Sequence, residues 1–354
     1  MTPPGQRALH GALLVDKPSG PTSHDIVAVT RRLLKAKRIG HTGTLDPLAT
    51  GLLVLLVGHA TRLSQFLVAD EKEYIADIRL GIATPTYDSQ SLEEARLKEE
   101  AFRLKAEATQ LSDEEQRGFR LQPEDLTRIL PDFLGTYPQL PPPFSAKKIE
   151  GVRAYEKARK NEVVELKPVQ VTVRELEVLP ASDISHRSSV IGHRTSDIGH
   201  PTSDPGHRIS DIDAAPPLRL RVVASSGFYV RSLAHDIGQV LGCGAHLEAL
   251  RRTRVGRFRV EEAATLDVLE AAGPAAAERL IPLNTLLSDL PAVTLTEEGL
   301  RRAGNGNSLA PHHLAVASAV RSGDRVRVLD ASGEVLSVAE GRPDGLLHPL
   351  LVLR

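Results

Sequence analysis

Tryptophan is absent from this 354-residue chain, and cysteine and methionine occur once each. A single cysteine, Cys243, excludes an intramolecular disulfide and any multi-cysteine zinc site. That usage suits a reducing cytoplasm, which is the expected location. Aromatic residues make up only 3%, so the core must be built from the Leu, Val, Ile and Ala that dominate its 41% of hydrophobic residues. No apolar run approaches the roughly 18 residues that a membrane-crossing helix needs. The first residues lack the basic-then-apolar pattern of a secretory leader, so none is expected. No P-loop, dinucleotide fingerprint or metal-ligand cluster occurs, so no cofactor and no metal is expected. Net charge is −1, and any surface for nucleic acid must be a local patch.

What is present concentrates between Gly40 and Gly51, which read GHTGTLDPLATG. Three glycines and a proline in twelve residues make a shaped loop around one carboxylate, Asp46. The apolar run Leu52 to Val57 that follows reads as a buried strand. A rigid loop that holds one acid beside a core strand can present a reactive group. An ordinary Asp-Pro turn is the plainer reading of the same residues.

In chain order, Gly11 to Val15 reads as a strand, and Thr22 or Ser23 can cap a helix reaching about Lys37. That helix ends on Arg31, Arg32, Lys35, Lys37 and Arg38, which suit its dipole or a phosphate-facing patch equally. Ala60 to Val68 reads as a short helix, and Tyr74 to Leu80 alternates as a strand. Residues 91–120 mix Glu, Lys, Arg, Ala and Leu as a solvated helix would. Pro123 opens a further helix, Pro138 to Pro143 reads as a stiff extended linker, and Tyr155 to Lys160 as a short helix. Val163 to Val178 gives one or two strands. Residues 182–213 repeat every seven residues, with histidines at 186, 193, 200 and 207. Prolines and glycines forbid a coiled coil there, so the tract is expected to be disordered, not metal-binding. Leu218 to Ala224 is then a strand and Tyr229 to Leu241 a helix. Arg251, Arg252, Arg254, Arg257 and Arg259 form a second basic patch. Pro274 to Leu280 looks helical, and beyond Pro291 short strands such as Arg325 to Leu329 and Val335 to Val338 dominate.

The Asp46 loop resembles the catalytic motif of the bacterial tRNA pseudouridine-55 synthases, the TruB family, through Leu52. Lys17-Pro18-Ser19-Gly20 with Thr22-Ser23, Lys72-Glu73-Tyr74, and Thr84-Pro85-Thr86-Tyr87-Asp88 resemble further family motifs. So do Pro142 to Lys148 with Gly151 to Tyr155, Gly227 to Leu233, and Leu250 to Thr253. They follow in the family's order across most of residues 11–260, apart from the two insertions at about 91–120 and 182–213.

The resemblance implies an α+β pseudouridine synthase fold, with a mixed, largely antiparallel central sheet flanked by helices. It places the catalytic domain at residues 1–285. A small C-terminal β pseudo-barrel of the PUA type is expected over residues 291–354. The implied reaction breaks the uridine glycosidic bond and rejoins the base through carbon, with base flipping and no cofactor. Asp46 would be the catalytic carboxylate and Arg231 its partner, while Tyr74 would lie against the uracil. Tyr229 would support the pocket, and Leu250, on a helix before the arginine pair, would form an apolar wall. His41 would enter the RNA, Arg62 and Asp88 would edge the pocket, and Arg252 would bind substrate. The implied partner is the tRNA T-arm, with no protein partner and no membrane, the chain acting as a monomer. A guide-RNA-dependent synthase and a tRNA-folding chaperone remain the alternative readings.

Overall fold

The computed structural model describes residues 9–68, 71–93, 95–97, 123–144, 148–149, 152–153, 166–180, 217–316 and 320–353. The heptad tract, the helix expected at 155–160 and most of the 91–120 insertion lie outside them. In chain order the strands described are β1 (Gly11–Lys17), β2 (Ile39–His41), β3 (Thr50–Val57), β4 (Lys72–Leu80), β5 (Gly135–Gln139) and β6 (Lys148–Ile149). Then follow β7 (Val152–Arg153), β8 (Val169–Val178), β9 (Leu218–Ala224), β10 (Ala245–Val255), β11 (Phe258–Arg259) and β12 (Ala264–Thr265). The last four are β13 (Ala292–Thr294), β14 (Arg325–Leu329), β15 (Val335–Gly341) and β16 (Leu347–Val352). The chain divides into two compact units, residues 1–70 with 255–354, and residues 71–254.

In the first unit β1 pairs antiparallel with β3 along its whole length and parallel with β12 at its end. Near-continuous apolar sequence makes β1 and β3 buried on both faces, and Leu52 to Val57 are all almost inaccessible. The first helix, Ser23–Leu34, starts in a capping box between Thr22 and Asp25, which satisfies two orphan donors reciprocally. It stops where Lys35 turns left-handed at φ 49°, so Lys37 and Arg38 lie past its end.

Strands β13-β14-β15-β16 form a separate small sheet at the C-terminal end. A bulge between β14 and β15 shifts the alternation of β15. Leu336 and Ala339 therefore enter a core of their own with Val293, Val326 and Leu347. Val335 and Val338 join Ala12, Leu14, Val54 and Leu56 in a second one. The C-terminal sheet thus shares part of its core with β1 and β3.

In the second unit β10, β4, β9, β8 and β5 lie side by side in that order. The pairs β4–β9, β9–β8 and β8–β5 are antiparallel. Pro138, expected in a linker, sits in β5 at the end of this order, where a missing ladder donor is tolerated. β4 alternates cleanly, with Lys72, Tyr74, Ala76 and Ile78 buried. Its other face carries ion pairs to neighbouring strands: Arg219 grips Asp77 at 2.6 and 2.7 Å, and Arg221 reaches Glu73 at 2.8 Å and Glu175 at 2.6 Å. The helix Val230–Leu241 runs on to Gly242, left-handed at φ 72°. Gly238 is required there: a Cβ would lie 2.2 Å from the amide nitrogen of Ala245, where the chain turns into β10.

Candidate functional site

Asp46 is half-buried on the loop between β2 and β3, between the buried residues Leu45 and Ala49. Two buried side chains fix that loop. Lys17, at the end of β1 and 0% exposed, donates to the carbonyls of Pro18 (2.8 Å), Pro47 (3.2 Å) and Ala49 (2.7 Å). An ammonium has three protons, and each finds an acceptor. Ser23, the first residue of its helix, donates to the Leu45 carbonyl at 3.0 Å and accepts from the Leu45 amide at 2.8 Å. Main-chain bonds complete the clamp, from Gly20 N to Pro47 O and from Ala49 N to Asp46 O. Of the loop glycines only Gly51 has positive φ, 98°. None of these bonds uses an oxygen of the Asp46 carboxylate. The basic run at the end of the first helix and just past it, Arg31, Arg32, Lys35, Lys37 and Arg38, is exposed at every position.

His41 lies on β2, half-buried, with its ring edge-on to His24 at 5.8 Å. Arg62, expected at a pocket edge, donates to the carbonyl of Val352 at 2.5 Å and so ties the Ala60 turn to β16.

The second unit gathers Arg231, Asp88 and Tyr229. Asp88 is 1% exposed. One of its oxygens accepts from the Thr86 hydroxyl at 2.6 Å and the Gln90 amide at 3.0 Å, while the other faces the Arg231 guanidinium at 3.4 Å. Arg231 also donates to the carbonyls of Thr86 (3.2 Å) and Phe144 (3.0 Å). Tyr229 is the residue before that helix. Its amide and carbonyl bond reciprocally with the Gln139 side chain, at 2.8 and 3.0 Å. Ser232 adds a bond to the Leu140 carbonyl at 2.7 Å, so residues 139–144 are strapped to the N-terminal turn of the Arg231 helix.

Tyr74 and Arg252 form a second cluster in this unit, on neighbouring strands β4 and β10. Arg252 is fully buried; burial pulls its pKa down, and the hydroxyl of Tyr74, hydrogen-bonded to it, pushes back up. Leu250 is buried beside them on β10, a strand where a helix was expected. The strand stays extended because Ala245 to Val255 supplies a ladder partner to β4. Glu73, on the opposite face of β4, is penalised by burial, but bonds from Thr253 and Arg221 hold its carboxyl below the usual range.

The second basic patch is largely structural. Arg252 has no surface to offer a phosphate. Arg254 lies 3.8 Å from Glu73, and Arg257 is tied to Thr285, Ser288 and Asp289. Arginines in a row on a strand alternate faces, and half of them must find partners inside.

One pair in the site was given no role by the sequence motifs: Tyr87 lies within the Thr84 to Asp88 motif, and His235 lies outside all of them. The ring of Tyr87 stacks on the imidazole of His235, with centroids 3.8 Å apart and 8° between planes. Tyr137 and Asp236 lie in the same neighbourhood: Asp236 raises the pKa of both tyrosines, after burial, and Tyr137 is pushed up to about 12. Asp236 itself is pushed up by burial to about 6. The only sequence signal was the spacing of His235, four residues after Arg231 and so on the same helix face.

Residues 31–191 match the family model for the N-terminal domain of TruB family pseudouridylate synthases. Residues 231–289 match that for the C-terminal domain of tRNA pseudouridylate synthase B. The chain is 40% identical to tRNA pseudouridine synthase B of Ralstonia nicotianae, across 97% of this chain and 96% of the relative. It is 37% identical to the protein of the same name from Solibacter usitatus, across 98% and 100%. Among solved structures it resembles a Cbf5–Nop10–Gar1 complex chain, with TM-score 0.61, 22% identity, and coverage of 100% of this chain and 91% of that one. An H/ACA RNP bound to a substrate RNA containing 2′-deoxyuridine contains another such chain, with TM-score 0.60, 22% identity, and coverage of 97% and 85%. At that identity the structural likeness speaks for the fold alone. The chain belongs to the TruB family of pseudouridine synthases.

Proposed function

We propose that the chain is a tRNA pseudouridine(55) synthase, an intramolecular transferase acting on the T-loop uridine of tRNA. The observation that carries the reading is the Asp46 loop, in which a half-buried carboxylate is presented on main chain clamped by Lys17 and Ser23. In the net reaction the N1–C1′ bond breaks and a C5–C1′ bond forms. C5 loses a proton and N1 gains one. No electron, water or cofactor is consumed. Asp46 serves as the nucleophile or proton carrier at the base or ribose. Tyr74, with its hydroxyl held by Arg252, flanks the uracil, and Leu250 and Tyr229 shape its surroundings. Arg231 supplies positive charge to the site, as the family resemblance implies. His41 occupies the space of the extruded base, and flipping costs a few kcal/mol. The exposed cations at and past the end of the first helix offset part of that cost against phosphates.

The test is incubation of the purified chain with an unmodified tRNA transcript and no other RNA or protein, followed by mapping of pseudouridine. Complete conversion of the T-loop uridine is the expected result. Conversion only when a guide RNA is added would move the chain to the guide-dependent class. Refolding of the tRNA without any conversion would make it a chaperone.

A further inference from the structure

Arg231 takes two of its acceptors from one tripeptide: the carbonyl of Thr86 at 3.2 Å and the carboxylate of Asp88 at 3.4 Å. The residue between them is Tyr87, and its backbone is left-handed at φ 63°. Among the described residues the only other non-glycine with positive φ is Lys35, at the end of the first helix. A tyrosine in this conformation is strained, and persists only where its surroundings over-determine it. The main chain contributes two bonds, from Tyr87 N to Thr84 O and from Leu247 N to Tyr87 O. The side chain contributes the parallel stack on His235, one helical turn from Arg231. The same helix thus carries the guanidinium and the ring that grips the tripeptide receiving it.

We propose that the Tyr87–His235 stack is a positioning pair, which sets the Thr86 carbonyl and the Asp88 carboxylate in register with the Arg231 guanidinium. It rests on the synthase reading above and adds to it two residues outside the family motifs' catalytic set. Burial lowers the pKa of His235, so at neutral pH the ring is an uncharged imidazole that stacks without a charge to solvate. Its Nδ1 is buried with no hydrogen-bond partner among the described residues, which leaves the ring face as its principal contact. Tyr137 and Asp236 are half-buried, and the charge of Asp236 is felt at both Tyr87 and Tyr137.

The experiment measures single-turnover conversion and tRNA affinity side by side, with rates normalised to the folded fraction from thermal melts. Tyr87→Ala and His235→Ala are expected to slow conversion by about 10–100-fold, the cost of a small misplacement in an active site, while tRNA affinity stays within about twofold. Tyr87→Phe and His235→Phe keep a stackable ring and recover most of the rate. Tyr87→Gly relieves the backbone strain but has no ring, so it stays slow. The double alanine variant is no slower than either single one, because both remove the same contact. Wild-type rates in the alanine variants would overturn the proposal, as would Phe variants as slow as alanine or recovery by glycine. Absence of conversion by the wild type in the same assay would instead overturn the synthase reading on which it rests.

Discussion

The loop that carries Asp46 and the helix that carries Arg231 are fastened by different chemistry. The loop is held by a buried ammonium on three main-chain carbonyls and by a serine on a fourth, and the Asp46 carboxylate takes no part in those bonds. Around Arg231 the carboxylate of Asp88 is itself part of the fastening, together with two carbonyls and a ring stack. In the first region shape and charge are separate duties, given to different residues. In the second they are fused. Isosteric neutralisation should therefore split the two regions: at Asp46 it removes chemistry and leaves the shape, while at Asp88 it disturbs both.

The sharpest break is at Asp46. Asp46→Asn is expected to fold normally and bind tRNA with near-native affinity, because every clamp bond survives. Conversion should fall by at least about 10⁴-fold, equivalent to more than about 5 kcal/mol of transition-state stabilisation. Single-turnover conversion beside a binding titration measures both. A variant that kept a tenth of the wild-type rate would show that the loop's carboxylate is not the reacting group.

Breaking the clamp itself comes next. Lys17→Met keeps the length of the side chain but removes the ammonium from the carbonyls of Pro18, Pro47 and Ala49, of which Pro47 keeps the Gly20 amide. Bonds to a charged donor contribute about 1.5–3 kcal/mol each, and buried groups lose more when orphaned. Thermal melts should show a loss of several degrees, with activity falling through the folded fraction and through displacement of Asp46. An unchanged melting temperature would mean that the loop holds its shape without the ammonium.

A smaller effect is expected at Asp88. In Asp88→Asn, one oxygen stays committed to Thr86 and Gln90, so the new NH₂ must face the Arg231 guanidinium, donor against donor. The pair loses its attraction without leaving a void. Conversion should slow by about 10–100-fold, or roughly 1.4–2.8 kcal/mol, with tRNA affinity little changed. If Asp88→Asn were instead as inert as Asp46→Asn, Asp88 would be doing chemistry and not only fastening.

The sequence showed the first region far better than the second. GHTGTLDPLATG is contiguous, and Lys17 and Ser23 sit in short motifs of their own, so the loop and the strands around it were readable from local pattern. Tyr87 and His235 are 148 positions apart, and nothing local announces that they meet. The same limit explains Arg252 and Arg62. Arg252 reads as one cation of a basic patch and Arg62 as a pocket-edge residue, and only tertiary pairing shows that one is buried against Tyr74 and the other ties down β16. The resemblance implied a helix at Leu250, where ladder pairing beside β4 instead holds Ala245 to Val255 extended.

The finest test concerns Asp236, the carboxyl beside the Tyr87–His235 stack. It accepts none of the hydrogen bonds that hold Asp88, and burial raises its pKa from 3.8 to about 6. For a raised carboxyl the native state holds its proton longer than the unfolded chain does, so stability falls as pH rises from about 4 to about 6 and stays lowered above. Asp236→Asn has nearly the same shape and no proton to lose. It should melt higher than the wild type at pH 7.5, by a few degrees at most because the group is only half-buried and water screens part of its charge. The gap should close as pH falls toward 4, where both proteins carry a neutral group. Conversion, measured at pH 7.5, should change far less than in Asp88→Asn, since Arg231 keeps all its partners. A gap in melting temperature that stayed constant from pH 4 to 7.5 would mean that the burial of this charge is not what it costs the fold, and that the Tyr87–His235 neighbourhood is wetter than its geometry implies.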